Sequence, residues 1–489
     1  MAASVIEQEP FYKILPVGQE IIFTVSNIDA VANQQQVKFG VDVHISNSTM
    51  PSVNVSTHFI GTFKATPNNA GVGMFDLRNI IENYVSADNM CSVSNVANIG
   101  PQYKSTYASP VQNFPIHIID KYSRNTNTVS FMVLQFYVEY LGATDASGSQ
   151  DDNVVRRADG TETPSDEFTI FNGYLKYNDK LRFFQGDFGY LMQIFFPYPA
   201  FPAVNTRRFL TNAPTIQNAN LEDYGTVAFL TSDEVSADKL NSIILKYYDC
   251  DGNFLDEETV IKNNVNGAYI HFITVLTAKQ LTFFAPFPGN LQNWSSTFNA
   301  LVTAGTIQGG SITFAGYTDD AVPFASTKTY TININCPEQK GFEAIRLTWL
   351  NQWGAWDYYT FTKKSTRTLK SKGTTYQQLG GTWNNRLYTP DAFKGGKKTF
   401  RVNAVEKIKM NTDFVSEDFN VMFEELTNSP EVYMLEGFQT DTAIPALNQY
   451  VKPVRLTTSS FTRKTRANDN LLQYTFEIEK TKTLRTQSV

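Results

Sequence analysis

Histidine and cysteine are scarce in this chain of 489 residues, which has four of the first and three of the second. Cys91, Cys250 and Cys336 are widely separated and odd in number. They provide neither a disulfide framework nor the paired spacing of a zinc site, and they fit a reducing compartment. The histidines are scattered too. His44, His117 and His271 each stand between apolar neighbours, where a strand turns a residue to the opposite face of its sheet, so we expect them, with His58, to be solvent-side or hairpin residues and not catalytic ones. No GxGxxG follows a strand, and GxxxxGK[ST], HExxH and GxSxG are missing, so phosphate-cradling, zinc-protease and hydrolase-elbow mechanisms lack their parts. No stretch approaches the roughly 18 apolar residues of a membrane helix. The longest candidate, FMVLQFYVEYL at 131–141, is broken by Gln135 and Glu139, which predicts a soluble protein. The opening residues MAASVIEQEPF carry Glu7 and Glu9 where a secretory signal needs bases, and the sequons at Asn47, Asn54 and Asn293 therefore carry little weight.

What is present points to strands. Hydrophobic residues make up 42% and aromatics 13% of the chain, which favours packed β structure over long helices. The length suits roughly two to four domains, and we expect three. Alternation predicts strands at 20–27, 36–46, 58–66, 113–121 and 128–141, forming an N-terminal β-sandwich over 1–141. In FDLRNIIENYV, Asp76 is a helix cap, and Leu77, Ile80, Ile81, Tyr84 and Val85 form one apolar stripe packed on that sandwich. Residues 142–166 are polar and turn-rich, a linker or long loop. A second β domain over 167–340 has strands near 226–231, 239–248, 254–261, 267–276, 311–317 and 328–336. The acidic stretch YYDCDGNFL between two of them has Gly252 too close to Asp249 for a calcium loop, and Asp-Gly between alternating runs signals a tight hairpin turn. FFPYPAFP (195–202) and FFAPFPG (283–289) read as turns packed on a core, with partner-binding loops as the alternative. The C-terminal region, 341–489, is α+β: Val415, Phe419, Met422 and Leu426 recur at helical spacing before Pro430. The expected fold class is mainly β, multi-domain, with β-sandwich-like domains and a few short helices.

Two stretches carry the functional argument. WLNQWGAWDYYTFTKKS (349–365) reads as a hairpin turning at NQWG, with Gly354 left-handed. Alternation buries Ile345, Leu347 and Trp349, and Trp353 at the turn is the ring expected to protrude, so core and inter-subunit packing outweigh a sugar platform. Asp76, Asp357 and Glu343 lie near aromatics, but each has a structural role as helix cap, hairpin edge or cross-strand charge, and no glycosidase pair is assigned. The chain's net charge of −6 argues against a surface given over wholly to nucleic acid or anionic membrane. Residues 363–410, however, hold twelve Lys or Arg against Asp391 and Glu406. Tyr376, Trp383 and Tyr388 stand among these charges, a mixture that single-stranded nucleic-acid binders use. The other reading is an extended arm on an acidic neighbouring subunit, with Lys363, Lys364, Arg367, Lys370, Lys372, Lys397 and Lys398 as interface charges. The arm is preferred because no nucleic-acid-binding signature accompanies the bases.

GVGMFDLRNIIENYV (71–85), LEDYGTVAFL (221–230), the aromatic hairpin (349–365) and TRKTRANDNLLQYTFEIEKTKTLRTQ (462–487) together resemble virion structural proteins of tailed bacteriophages of the marine and Bacteroidota-infecting type. The resemblance implies a neck, tail or appendage component of a virion assembled in the bacterial cytoplasm, with copies of itself and other virion proteins as partners. No functional residues carry over from it. The residues agree: a non-enzymatic chain with no catalytic, cofactor or metal site, no membrane or small-molecule partner, and nucleic acid disfavoured. A host-glycan adhesin is the alternative, and it would display exposed coplanar rings.

Overall fold

The computed structural model describes residues 2–10, 14–47, 51–90, 115–119, 122–125, 127–174, 209–231, 242–262, 280–317, 328–335, 342–382, 385–437, 450–464, 472–481 and 484–485. The fold is mainly β, in several sheets with a few short helices, as the alternation predicts. It divides into two compact units: Met1–Cys336 with Leu350–Asp357 and Gln439–Pro445, and Pro337–Trp349 with Tyr358–Phe438 and Ala446–Val489.

In the first unit, a three-stranded sheet (Val5–Gln8, Ile22–Ser26, Val72–Asp76) and a seven-stranded sheet share one core in the manner of a sandwich. The larger sheet is built on Val129–Leu141, which pairs antiparallel with Lys38–Ser46 from Lys38↔Glu139 to Ser46↔Phe131. Phe23 from the small sheet meets Phe136 and Phe168 from the large one at ring separations of 5.7 and 5.5 Å, the latter edge-on. All three are fully buried, each contributing about 1.5–3 kcal/mol. The expected helix is shorter than its stripe: Arg78–Ile81, tightening to a 3-10 turn over Glu82–Tyr84. Asp76 caps it, its Oδ1 accepting from the Arg78 N–H at 3.1 Å. Leu77, Ile81 and Val85 are buried, and the Ser86 N–H bonds to the Asn127 carbonyl, drawing the chain out of the helix and back to the sheet.

Two expectations here change. The polar stretch 142–166 folds back on the sheet, with Val155–Arg157 and Thr163–Pro164 both pairing with Val129–Leu141. Polar contacts hold it in place of apolar ones: the Arg157 guanidinium pairs with Asp42 at 2.6 Å and Glu162 at 3.1 Å and lies 4.0 Å over the Tyr137 ring. Within the strand expected at 113–121, Ile116–Ile118 is a 3-10 turn following Pro115. Ile116, His117 and Ile118 are all buried, so the apolar–His–apolar pattern is not a strand with one face in water.

The same unit contains a five-stranded sheet in the order Ile216–Ala219, Tyr330–Ile334, Ser311–Tyr317, Ser242–Tyr248, Phe254–Lys262, and a three-stranded one of Val227–Thr231, Gln280–Phe284 and Tyr122–Asn125. The Asp-Gly hairpin forms as expected, with Gly252 at φ +82° and the Asp249 carboxylate accepting from the N–H groups of Asp251 and Asn253. Phe283, Phe284 and Phe287 are buried, which places FFAPFPG in a core. Helices Pro288–Trp294 and Ser296–Thr303 follow it directly, and they were not expected. Pro288 opens the first, and the Ser295 hydroxyl caps the second through the Phe298 N–H at 2.9 Å. The strand at 267–276, His271 and the loop 195–202 lie outside the described residues.

The second unit is built around an eight-stranded sheet in the order Trp356–Phe361, Ile345–Leu350, Val432–Leu435, Val451–Leu456, Thr475–Lys480, Gly396–Asn411, Thr366–Gln378, with Leu484–Arg485 also on Gly396–Asn411. Helix Phe419–Asn428 buries Met422, Phe423 and Leu426, and Phe423 packs 5.5 Å from Phe476 of the sheet. The predicted stripe is therefore core.

Candidate assembly interface

The hairpin at 349–365 forms as its alternation predicts, with Gly354 at φ +68°. Its tip does not protrude. Trp349, Trp353 and Trp356 are at most 4% exposed, which corrects the expectation for Trp353 and removes a stacked-sugar platform from this hairpin. A turn can be buried only if its backbone polar groups find partners. The Asn351 side chain supplies them, accepting from the N–H groups of Trp353 (3.0 Å) and Ala355 (3.1 Å) and donating to the Leu210 carbonyl (2.9 Å). The Gln352 carbonyl accepts from the Tyr174 N–H at 2.9 Å, and a Cβ on Gly354 would stand 2.2 Å from the Asn172 carbonyl oxygen.

Buried acids surround this tip. The Trp356 indole donates to the Asp88 carbonyl at 3.0 Å, and His117 packs edge-on to the same ring at 4.8 Å. Burial pushes the Asp88 carboxyl up to about 6, against opposing bonds from the Thr128 hydroxyl and backbone N–H groups. Burial likewise raises Asp357 to about 6, against bonds from Thr211 and Asn351. Of the other carboxylates singled out in the sequence, Asp76 is the helix cap and Glu343 is held by Arg367, whose bonds lower its pKa. His44 and His117 are buried, contrary to expectation, and desolvation lowers the pKa of His44. Alternation misplaced His44 because Lys38–Ser46 lies between two strands and buries both of its faces. His58 is half-buried, its Nδ1 accepting from the Ser52 N–H. Among the described residues, no three His, Cys, Asp or Glu side chains are grouped to hold a metal ion, and no helix is long and apolar enough to cross a membrane.

The basic segment is an antiparallel ribbon. Thr366–Gln378 pairs with Gly396–Asn411 from Thr366↔Lys409 to Gln378↔Gly396. Its thirteen residues span about 40 Å. Thr475–Lys480 supports the base of the ribbon at Lys407–Asn411, and Leu484–Arg485 reaches Asn403–Ala404. From Gly396 to Val402, among the described residues, the ribbon has two strands alone. An unsupported two-stranded hairpin is marginal in water. This one has its own fastenings: Tyr376 and Phe400 pack edge-on at 6.4 Å, Lys394 pairs with Asp391 at 2.7 Å, and the Thr382 N–H bonds to the Thr389 carbonyl. Gly395, at φ +91°, passes so close to Gly380 that a Cβ would lie 2.8 Å from its Cα. The tip holds apolar side chains in solvent: Leu379, Leu387, Tyr388 and Phe393 are 69–78% exposed.

The seven basic residues proposed as interface charges do not behave alike. Arg367 is bound by Glu343 and Glu406, and those bonds, Glu343 foremost, hold its guanidinium more firmly protonated than usual. Lys363 pairs with Asp413 at 3.1 Å, so these two are committed within the chain. Lys398 donates to the Phe393 carbonyl at 3.0 Å and helps to shape the tip. Lys364, Lys370, Lys372 and Lys397 make no ion pair among the described residues. Sequence reasoning found the basic segment but missed Leu379, Leu387 and Phe393. The signal was the alternation of TRTLKSKGTTYQQ, too polar to score as a strand until its partner GKKTFRVNAVEKIKMN is laid against it. Trp383 lies outside the described residues. Comparison with protein-family models and with curated proteins finds no match for the chain.

Proposed function

We propose that this chain is a non-enzymatic structural subunit of a tailed-phage particle, a neck, tail or appendage component that joins copies of itself and neighbouring virion proteins through the 366–411 ribbon. The observation that carries the reading is the ribbon: about 40 Å of basic strand pair, with Thr366–Gln378 exposed along most of its length, ending in a cluster of solvent-facing Leu, Tyr and Phe. Monomeric proteins seldom hold such a cluster in water, and partner contacts are the usual reason for one. Opposite charge is plentiful. Outside 363–410 the chain has 45 acidic residues against 29 basic ones. The burial of Trp349, Trp353 and Trp356 weighs against the glycan-adhesin alternative, which needed exposed coplanar rings at that hairpin.

The test is to excise the tip. Gln378 and Gly396 already face each other, so an Asn-Gly turn can join them in place of 379–395 without disturbing the sheet below. Sedimentation velocity should show the shortened chain associating more weakly than the full chain, with unchanged far-UV circular dichroism. Association undiminished by excision would refute the reading, and loss of single-stranded DNA binding alone would favour the nucleic-acid alternative. Mass spectrometry of purified particles from a phage encoding the chain tests its place in the virion.

A further inference from the structure

We propose that the open edge of ribbon strand Thr366–Gln378 pairs, strand to strand, with the open edge of Phe254–Lys262 on a second copy of this chain. The inference rests on the assembly reading above and names the surface that receives the ribbon. Both strands end their sheets. Thr366–Gln378 closes the eight-stranded sheet and Phe254–Lys262 the five-stranded one, and among the described residues each has a partner on one side only.

Their chemistry is complementary. Thr366–Gln378 contains Arg367, Lys370 and Lys372 and no acid. Phe254–Lys262 contains Asp256, Glu257 and Glu258 against one base, and Asp249 and Asp251 stand in the turn before it. Glu258 is committed inward, accepting from the hydroxyls of Tyr247 and Ser295, so Asp256 and Glu257 are the carboxylates on display. Among the described residues Glu257 is paired only with Lys246, at 3.5 Å and with more than half of its side chain exposed, a contact of little strength. Lys370 and Lys372 share one face of the ribbon and have no ion-pair partner among the described residues.

Length separates this edge from the others. Among the described residues the remaining sheet-end strands have at most seven residues, and none has more than one acid, whereas Phe254–Lys262 has nine residues and three. Nine residues give about 30 Å of backbone for a strand pair, within the length of the ribbon. Charged edge strands normally resist pairing. Here the signs matter: lysine repels a second ribbon and carboxylates repel a second acidic edge, so each edge is guarded against its own kind and open to the other. Because donor and acceptor are different surfaces, the contact is head-to-tail. Repeated, it closes into a ring or runs on as a filament.

The experiment uses full-length chain in three forms: Lys370→Glu with Lys372→Glu, Asp256→Lys with Glu257→Lys, and all four together. Sedimentation velocity at about 0.15 M salt, where screening acts within about 8 Å, reads self-association. Each reversed pair should weaken it at least about tenfold, and the fourfold variant should recover it. Mixing the two reversed chains should also recover it, since each then supplies the edge that the other needs. Circular dichroism confirms the fold, and all four positions are exposed. Loss on reversing the ribbon with no loss on reversing the acidic edge would overturn this inference and leave the assembly reading standing. Failure of both the mixture and the fourfold variant to recover would also overturn it. Association indifferent to both reversals would overturn this inference alone, and an unaltered chain that stays monomeric would overturn both readings.

Discussion

Replacing Asp88 by Asn should stabilise the first unit at neutral pH and above, and the gain should vanish in acid. The carboxyl is fully buried, and among the described residues its partners are the Thr128 hydroxyl at 2.6 Å and backbone N–H groups, with no cation. Burial disfavours the ionised form and raises its pKa to about 6. The sign follows from proton uptake. Between the ordinary aspartate value near 4 and about 6, the folded protein binds a proton that the unfolded chain does not, so stability falls as pH rises through that window and is level above it. A difference of that size corresponds to about 3 kcal/mol, at about 1.4 kcal/mol per tenfold in proton affinity. Asparagine removes the charge and keeps one oxygen for the Asn127 N–H. It loses the second acceptor that takes the Thr128 hydroxyl, which still has the Ser86 carbonyl in reach, and its amide hydrogens need acceptors, which reduces the expected gain to about 1–2 kcal/mol at pH 8. Urea denaturation at pH 4 and pH 8 measures it. Tryptophan emission reports locally, since the Trp356 indole donates to Asp88 itself. The variant should fall below the parent by that amide cost at pH 4, where the carboxyl is protonated, and exceed it at pH 8. An Asn variant weaker than the parent at pH 8 would refute the reasoning, because the ionised carboxylate would then be a net stabiliser.

Gly354→Ala should lower the melting temperature and cost at least about 1–3 kcal/mol, since φ is +68° and the new Cβ would stand 2.2 Å from the Asn172 oxygen; differential scanning calorimetry reads it. Arg157→Met should cost about 2–4 kcal/mol in urea titration by leaving the buried Asp42 carboxylate without its cation, and the 142–166 stretch should become the first site of limited proteolysis. Asp42→Asn combined with Arg157→Met should recover part of that loss in the same titration, because no unpaired charge then remains buried at position 42.

Where apolar residues alternate along paired strands, the sequence was readable without the structure. Lys38–Ser46, Val129–Leu141, the Asp-Gly hairpin and the 419–428 helix all follow from spacing and turn chemistry. The failures share one physical cause. Polar side chains that satisfy backbone groups allow a turn or loop to be buried, and hydrophobic pattern is blind to them. Asn351 does this for the aromatic hairpin, Asn290 ties the unexpected helix to the carbonyls of His117 and Ile119, and Arg157 anchors a stretch with little to bury. An asparagine beside a glycine in a tight turn, as in Asn351-Gln-Trp-Gly354, invites a search for buried acceptors before its aromatic is assigned to the surface.

The candidate interface shows the reverse case. The charge of the ribbon was visible in composition, but which bases are free depends on acids brought beside them by pairing: Glu406 lies opposite Leu369 in the register and reaches Arg367, and Asp413 follows the end of the partner strand and takes Lys363. Those committed charges lie at the base of the ribbon, where the neighbouring strands Thr475–Lys480 and Leu484–Arg485 stiffen it. The exposed Leu, Tyr and Phe and the unpaired Lys397 lie further out, beyond the stretch where two strands stand alone or within it, whereas Lys370 and Lys372 lie midway, opposite Val405 and Asn403. Strand support therefore falls off along the ribbon towards its exposed apolar tip. An element used only for its own fold has no reason to keep apolar side chains at its least supported end, whereas one that completes itself on another subunit does.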